Sequence, residues 1–193
     1  MITQIIGRLV EKTPTQVVVD CNGVGYAVHI SLNTYSQIGD QEKIKLFTHM
    51  QVREDSHTLF GFHSPVERSV FLLLISVSGI GASTARTMLS SLQPQQIRDA
   101  ILSEDLNTIK SIKGIGLKTA QRVLIELKDK MMNLFDGEEI QILGNNTIKD
   151  EALSALEVLG YSRKQSDSII NRIIQSSPDS SVEELIKEAL NKL

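Results

Sequence analysis

The chain has 193 residues, of which 41% are hydrophobic and 22% charged, and its formal net charge is −3, values typical of a globular protein. A single cysteine, Cys21, excludes an internal disulfide and a cysteine-based zinc site. The longest apolar run, Val70–Ile75, is too short to cross a bilayer, and no basic-then-apolar stretch opens the chain, so we expect a cytoplasmic protein without a membrane partner.

The first 63 residues are predicted to form a small β-barrel domain. They contain five short runs rich in β-branched and aromatic residues, which are Ile2–Val10, Thr15–Cys21, Val24–Ile30, Lys43–Gln51 and Thr58–Phe62. Asn22-Gly23 separates two of these runs and is typical of a tight hairpin turn. Five short strands with little room for long helices favour an OB-fold barrel.

Residues 64–134 are predicted to be helical. Ser64-Pro65-Val66-Glu67 supplies an N-cap, a proline for the first turn and a glutamate that would complete a capping box. The helical pattern continues to about Asn133. Residues 135–146, rich in glycine, asparagine and acidic residues, are predicted to be a flexible linker.

Residues 147–193 are predicted to form three short helices that begin near Thr147, Ser162 and Ser181. Each helix carries one apolar stripe. So small a bundle has a marginal core, which suits a tethered docking module.

One segment occurs twice in the central region. Ser76–Ala85 returns 35 residues later as Ser111–Ala120, with serine, glycine, isoleucine, glycine, threonine and alanine in register. In each copy a Gly-Ile-Gly turn leads into a helix, which is the pattern of a helix-hairpin-helix unit. A lone glycine pair would be weak support, but two copies in register favour a tandem of such units.

Both turns are suited to binding phosphate. Glycines two apart let the backbone approach a ligand closely, and the following helix begins with free N–H groups at its positive dipole end. The central segment also carries 9 Lys+Arg against 6 Asp+Glu, whereas residues 135–193 carry 6 against 11. Contacts to phosphates do not depend on the base, so we expect binding to any DNA sequence. The residues predicted to contact phosphate are Gly79, Ile80, Gly81, Ser83, Thr84, Gly114, Ile115, Gly116, Lys118, Thr119 and Arg122. With Lys113 and Lys118, the second turn is expected to bind more strongly than the first.

Other chemistry finds less support. Leu117 precedes Lys118-Thr119 where a nucleotide-binding P-loop needs glycine. The four histidines have no spaced carboxylate or cysteine partners, and no nucleophile–base arrangement is present. We therefore expect no metal, no cofactor and no catalytic residue.

The segments together resemble the RuvA family, the Holliday-junction-binding subunits of the bacterial branch-migration motor. The resemblance spans essentially the whole chain and includes Thr48–Asp55, Leu59-Phe60-Gly61-Phe62, both hairpins and Leu159-Gly160-Tyr161. It implies an α+β multidomain fold, with an OB barrel, a tandem helix-hairpin-helix domain and a small UBA-like three-helix bundle. It also implies a role in recombination, DNA repair and the SOS response to DNA damage.

Further roles follow only from this resemblance. The turn that holds Arg53, Glu54 and Asp55 becomes an acidic pin near the crossover, where carboxylates repel phosphates and favour opened strands. The family implies a homotetramer, alone or paired, with the RuvB ATPase and the RuvC resolvase as partners. The residues predicted to contact RuvB are Leu156, Leu159, Tyr161 and Leu190, for which the core of the bundle is an equal alternative.

Three functions fit parts of this pattern. The first is a non-catalytic junction-binding scaffold that recruits a motor. The second is a DNA-repair nuclease or glycosylase with the same hairpins, which would need a catalytic carboxylate cluster or lysine that the spacing does not offer. The third is an RNA-binding OB protein, which leaves both hairpins without a purpose.

Overall fold

The computed structural model describes residues 1–142, 147–177 and 180–192. Its contacts divide the chain into two compact units, Met1–Leu134 and Phe135–Leu193. Each unit has its own core and is described by itself.

The first unit begins with a closed five-stranded barrel. Its strands are β1 (Gln4–Thr13), β2 (Gln16–Cys21), β3 (Val24–Ile30), β4 (Lys43–Val52) and β5 (His57–Phe62). They close in the order β1-β2-β3-β5-β4, with β3 and β5 parallel and the other pairs antiparallel. The OB-like barrel predicted from the sequence is confirmed, and alternate side chains such as Val17, Val19 and Leu46 fill its interior.

The predicted hairpin turn between β2 and β3 is also confirmed. Asn22 and Gly23 both have positive φ, 55° and 90°, the conformation that a two-residue turn between twisted strands requires. The Asp20 carboxylate accepts a hydrogen bond of 2.7 Å from the Gly23 amide, which fixes the turn further.

A short helix that the sequence did not predict, α1 (Leu32–Ile38), follows β3. It holds the carboxylate of Glu67, which is fully buried. Ser31 Oγ and Thr34 Oγ1 donate hydrogen bonds of 2.5 and 2.6 Å to that carboxylate. The prediction that Glu67 completes a capping box is therefore wrong: Ser64 does cap the helix by accepting from the Glu67 amide, but the Glu67 side chain joins two elements instead.

Five further helices begin in the first unit: α2 (Pro65–Ile75), α3 (Ala82–Ser91), α4 (Pro94–Leu102), α5 (Leu106–Lys110) and α6 (Leu117–Ile142). Phe71 of α2 stacks obliquely on Phe60 and Phe62 of β5, with ring centroids 5.3 and 4.9 Å apart. This aromatic cluster packs α2 against the barrel.

Helix α6 is longer than the sequence indicated. It continues to Ile142, so residues 135–142 are helical where a flexible linker was predicted. The helix formers before and after Gly137 carry the helix through a residue that is only moderately unfavourable in its interior. That this segment links two domains stays a prediction. The remaining linker positions, 143–146, lie outside the described residues.

The second unit contains the three predicted helices, α7 (Thr147–Val158), α8 (Arg163–Ser176) and α9 (Val182–Leu190). Ser181 and Glu184 form the predicted capping box at the start of α9. The core consists of Ala152, Leu153, Leu156, Ile170, Ile173, Leu185 and Ala189. Within the described parts of the chain, no helix has both the length and the apolar character needed to cross a membrane.

Candidate nucleic-acid interface

The two repeated turns have the same backbone structure. Gly79 and Gly114 have φ of 97° and 93°, a left-handed conformation that L side chains rarely adopt. The following amides close the turns, because Ile80 N donates to Val77 O at 3.0 Å and Ile115 N donates to Ile112 O at 3.1 Å. The sequence repeat is therefore a structural repeat.

The isoleucine between each pair of glycines anchors its turn. Ile80 and Ile115 are 5% and 6% exposed, so both side chains are buried in the protein. Neither side chain is available to a ligand, and any contact that these two residues make must come from their backbone.

The second glycine of each pair begins a helix and faces open space. Gly81 O accepts from Ala85 N, and Gly116 O accepts from Ala120 N, both at 2.9 Å. A Cβ atom built on either glycine would have no neighbour within 4 Å. No side-chain hydrogen bond caps α3 at Gly81, so the first amides of that helix remain available to an anion.

The two hairpins pack against each other through their threonines. Thr119 Oγ1 lies 3.4 Å from the position of a Cβ on Gly79, and Thr84 Oγ1 lies 3.8 Å from the same position on Gly114. Each threonine thus lies over the first glycine of the other hairpin. The sequence analysis predicted each threonine as a phosphate contact of its own hairpin. It did not predict that the two threonines lie between the hairpins.

The basic residues near the hairpins differ in their surroundings. Lys113, Lys118 and Ser83 are exposed on the two hairpins. Arg122, however, donates from Nη1 to the Ser78 carbonyl of the first hairpin at 3.1 Å, and its Nε lies 3.6 Å from Glu126. It belongs to the second hairpin by sequence but contacts the first.

Arg86, one turn into α3, faces the barrel. Its Nη1 donates to Thr15 O and to His29 Nδ1, both at 3.2 Å. Burial, and secondly the charge of Arg86, lower the pKa of His29, which keeps the ring neutral and able to accept this hydrogen bond. Arg86 therefore fixes the first hairpin to the barrel.

The acidic turn lies between β4 and β5, as predicted. Arg53 N donates to Ser56 O at 2.8 Å and closes a tight turn with Glu54 and Asp55 at its tip. Arg53, Glu54 and Asp55 are all exposed. The two carboxylates thus lie at the tip of a short connection between two strands of the barrel.

The four residues predicted to contact a motor fall into two groups. Leu156 is fully buried in the core of the second unit, which is the alternative that the sequence left open for it. Leu159 and Leu190 are 57% and 39% exposed, and Tyr161 packs against the edge of the core. Val158, which the sequence reasoning missed, is 89% exposed beside Leu159.

Among the residues that the structure describes, no group of three or more histidine, cysteine, aspartate or glutamate side chains is placed to hold a metal ion.

Comparison with known proteins gives consistent matches along the chain. The model of the RuvA N terminal domain matches residues 1–61, that of the SAM-like helix-hairpin-helix tandem matches residues 71–129, and that of the RuvA C-terminal domain matches residues 147–193. Relatives named "Holliday junction branch migration complex subunit RuvA" are 56% identical in Flavobacterium psychrophilum, 55% in Christiangramia forsetii and 43% in Bacteroides thetaiotaomicron. Each of these matches covers 100% of both chains.

Proposed function

The chain belongs to the RuvA family, and from this membership we propose that it is the non-catalytic subunit of a branch migration complex that binds the Holliday junction. It grips DNA through phosphates and serves recombination and DNA repair in the cytoplasm. It performs no chemistry on the DNA itself.

The observation that carries this proposal is the pair of matching turns. Each presents a helix start at an open glycine, with no neighbour within 4 Å of where a Cβ would lie. Backbone amides arranged in this way bind a phosphate oxygen of any nucleotide, which suits a protein that must hold a crossover of any sequence. The predicted contacts from Gly79 to Thr84 and from Gly114 to Arg122 belong to these turns.

Glu54 and Asp55 act as a pin at the crossover. Their exposure at the tip of a tight turn supports this role, because carboxylates held close to phosphates penalise a closed duplex more than separated strands. The pin thereby favours an open junction and disfavours binding to ordinary duplex.

Assembly multiplies weak contacts. We propose a homotetramer, alone or paired with a second one, in which each subunit contributes two hairpins. The second unit docks the RuvB ATPase through its exposed apolar residues Val158, Leu159 and Leu190, with Tyr161 at their edge. The RuvC resolvase joins the larger complex.

A gel-shift assay tests the proposal with four-way junction, linear duplex and single strand of the same sequences. We expect the wild-type chain to prefer the junction. The double variant Glu54→Gln/Asp55→Asn should bind duplex more tightly and lose part of that preference, because it removes two charges and keeps the shape of the turn.

Equal affinity of the wild-type chain for all three DNAs would contradict the proposal. Incubation of the same DNAs with a divalent metal ion distinguishes the alternative of a helix-hairpin-helix nuclease. Strand cleavage by the purified protein would support that alternative.

A further inference from the structure

Arg122 occupies a place that its counterpart in the first hairpin does not. The 35-residue repeat aligns Arg122 with Thr87, and Thr87 Oγ1 donates to Ser83 O, within its own helix, at 3.0 Å. Arg122 instead reaches across to Ser78 O of the other hairpin. Beside the reciprocal contacts of Thr84 and Thr119, this hydrogen bond therefore runs in one direction only, from the second hairpin to the first.

The first hairpin differs from the second in the residues that start its helix. Its helix starts with Ala82-Ser83 where the second starts with Leu117-Lys118, so it lacks a lysine at that position. Its grip on phosphate rests on backbone amides, and amides bind only while their directions are fixed. The Ser78 carbonyl directly precedes Gly79, whose φ of 97° sets the turn.

We propose that Arg122 is a positioning residue, which latches the first hairpin in its phosphate-binding shape from the helix of the second. This inference rests on the proposed function and assigns Arg122 a task other than direct phosphate contact. The guanidinium has five N–H donors in a planar fork, more than its contacts with Ser78 and Glu126 use, so its charge also lies beside the hairpin that lacks a lysine.

The test compares two variants of the full chain, Arg122→Met and Lys118→Met. Both remove one positive charge from the start of α6, and both keep an apolar stem. Hydrogen–deuterium exchange is followed amide by amide in DNA-free protein, and junction affinity is measured separately by gel shift.

The Ile80 amide reports the first turn and the Ile115 amide the second, because each closes its own turn. In Arg122→Met we expect Ile80 to exchange about tenfold faster, the effect of losing one hydrogen bond of ordinary net strength, with Ile115 unchanged. Junction affinity should fall as well. In Lys118→Met, affinity should fall with both amides unchanged.

Three results would overturn the inference. Unchanged Ile80 exchange in Arg122→Met would leave Arg122 as a direct ligand or without a role. Equal acceleration of Ile80 and Ile115 would indicate general destabilisation. Faster Ile80 exchange with wild-type junction affinity would show that the latch does not matter for binding. Because exchange is read without DNA, it remains informative even if the wild-type chain shows no junction preference.

Discussion

At the scale of single residues, the open glycines offer the most specific test of the proposed interface. Gly81 has φ −88° and ψ 167°, values that any residue adopts, and it occupies the N-cap of α3. It tolerates a side chain, unlike Gly79. The fold therefore leaves room for a side chain at Gly81, in the space that a phosphate at this helix start would occupy.

This difference gives a prediction for Gly81→Asp and its uncharged match Gly81→Asn. Both side chains are good N-caps and should stabilise α3 by a few tenths of a kcal/mol, roughly the gain over glycine at this position. The aspartate places a negative charge where a phosphate would bind, so junction affinity should fall about tenfold or more below that of the asparagine variant. Fluorescence anisotropy with a labelled junction measures both variants.

Thermal unfolding provides the control for this pair. Both variants should unfold at or slightly above the wild-type temperature, so that any loss of binding is not a loss of fold. Equal junction affinities in folded Asp and Asn variants would refute an anion site at this helix start.

At the scale of elements, sequence patterns predicted what is local and missed what depends on neighbours. The Gly-Ile-Gly turns were predictable because positive φ and a buried isoleucine are properties of three adjacent residues. Helix α1 was not predictable, because its seven residues are too few to show a helical periodicity. In addition, its cap, Ser31, is fixed partly by Glu67 from a distant part of the chain. The role of Glu67 was not predictable either, because its side chain bonds to distant residues and not to the neighbouring helix cap at Ser64.

The apolar residues of α7 show a second limit of periodicity. Leu156 and Leu159 are three residues apart and would share one face of a continuous helix, so core packing and partner contact are equal predictions for both. The helix ends at Val158, and Gly160 turns the chain with φ of 98°. Leu159 therefore leaves the buried stripe, and only the observed end of the helix separates the core residue from the exposed one.

That separation predicts opposite effects for two substitutions in the second unit. Leu156→Ala should lower the free energy of unfolding of this unit by about 3 kcal/mol, because it leaves a cavity in a small core. Leu159→Asp should change stability by no more than about 0.5 kcal/mol, as expected at an exposed position, but should prevent docking of RuvB. Chemical denaturation followed by circular dichroism measures the first effect, and co-purification with RuvB measures the second.

Leu190→Asp serves as a second exposed variant in that experiment. If both the Leu159→Asp and the Leu190→Asp variants bind RuvB as tightly as the wild-type chain, these exposed apolar residues do not form the docking surface.

At the scale of the whole molecule, charge and structure divide the chain in the same way. The positive excess lies in residues 64–134, and the compact unit that contains them ends at Leu134. The acidic excess lies in residues 135–193. This separation suits a protein in which one part binds a polyanion and the other binds a protein.

Deletion of residues 147–193 should consequently separate the two activities. Because the proposed phosphate contacts all lie between Gly79 and Arg122, the truncated chain should keep both its junction affinity and the slope of log affinity against log salt, which counts neutralised phosphates. It should lose all stimulation of RuvB, since the proposed docking residues are gone. Titrations at several salt concentrations and an assay of motor-driven branch migration give the two readouts. A shallower slope would place phosphate contacts in the deleted unit, and retained stimulation would place the docking surface outside it; either result would contradict this division of labour.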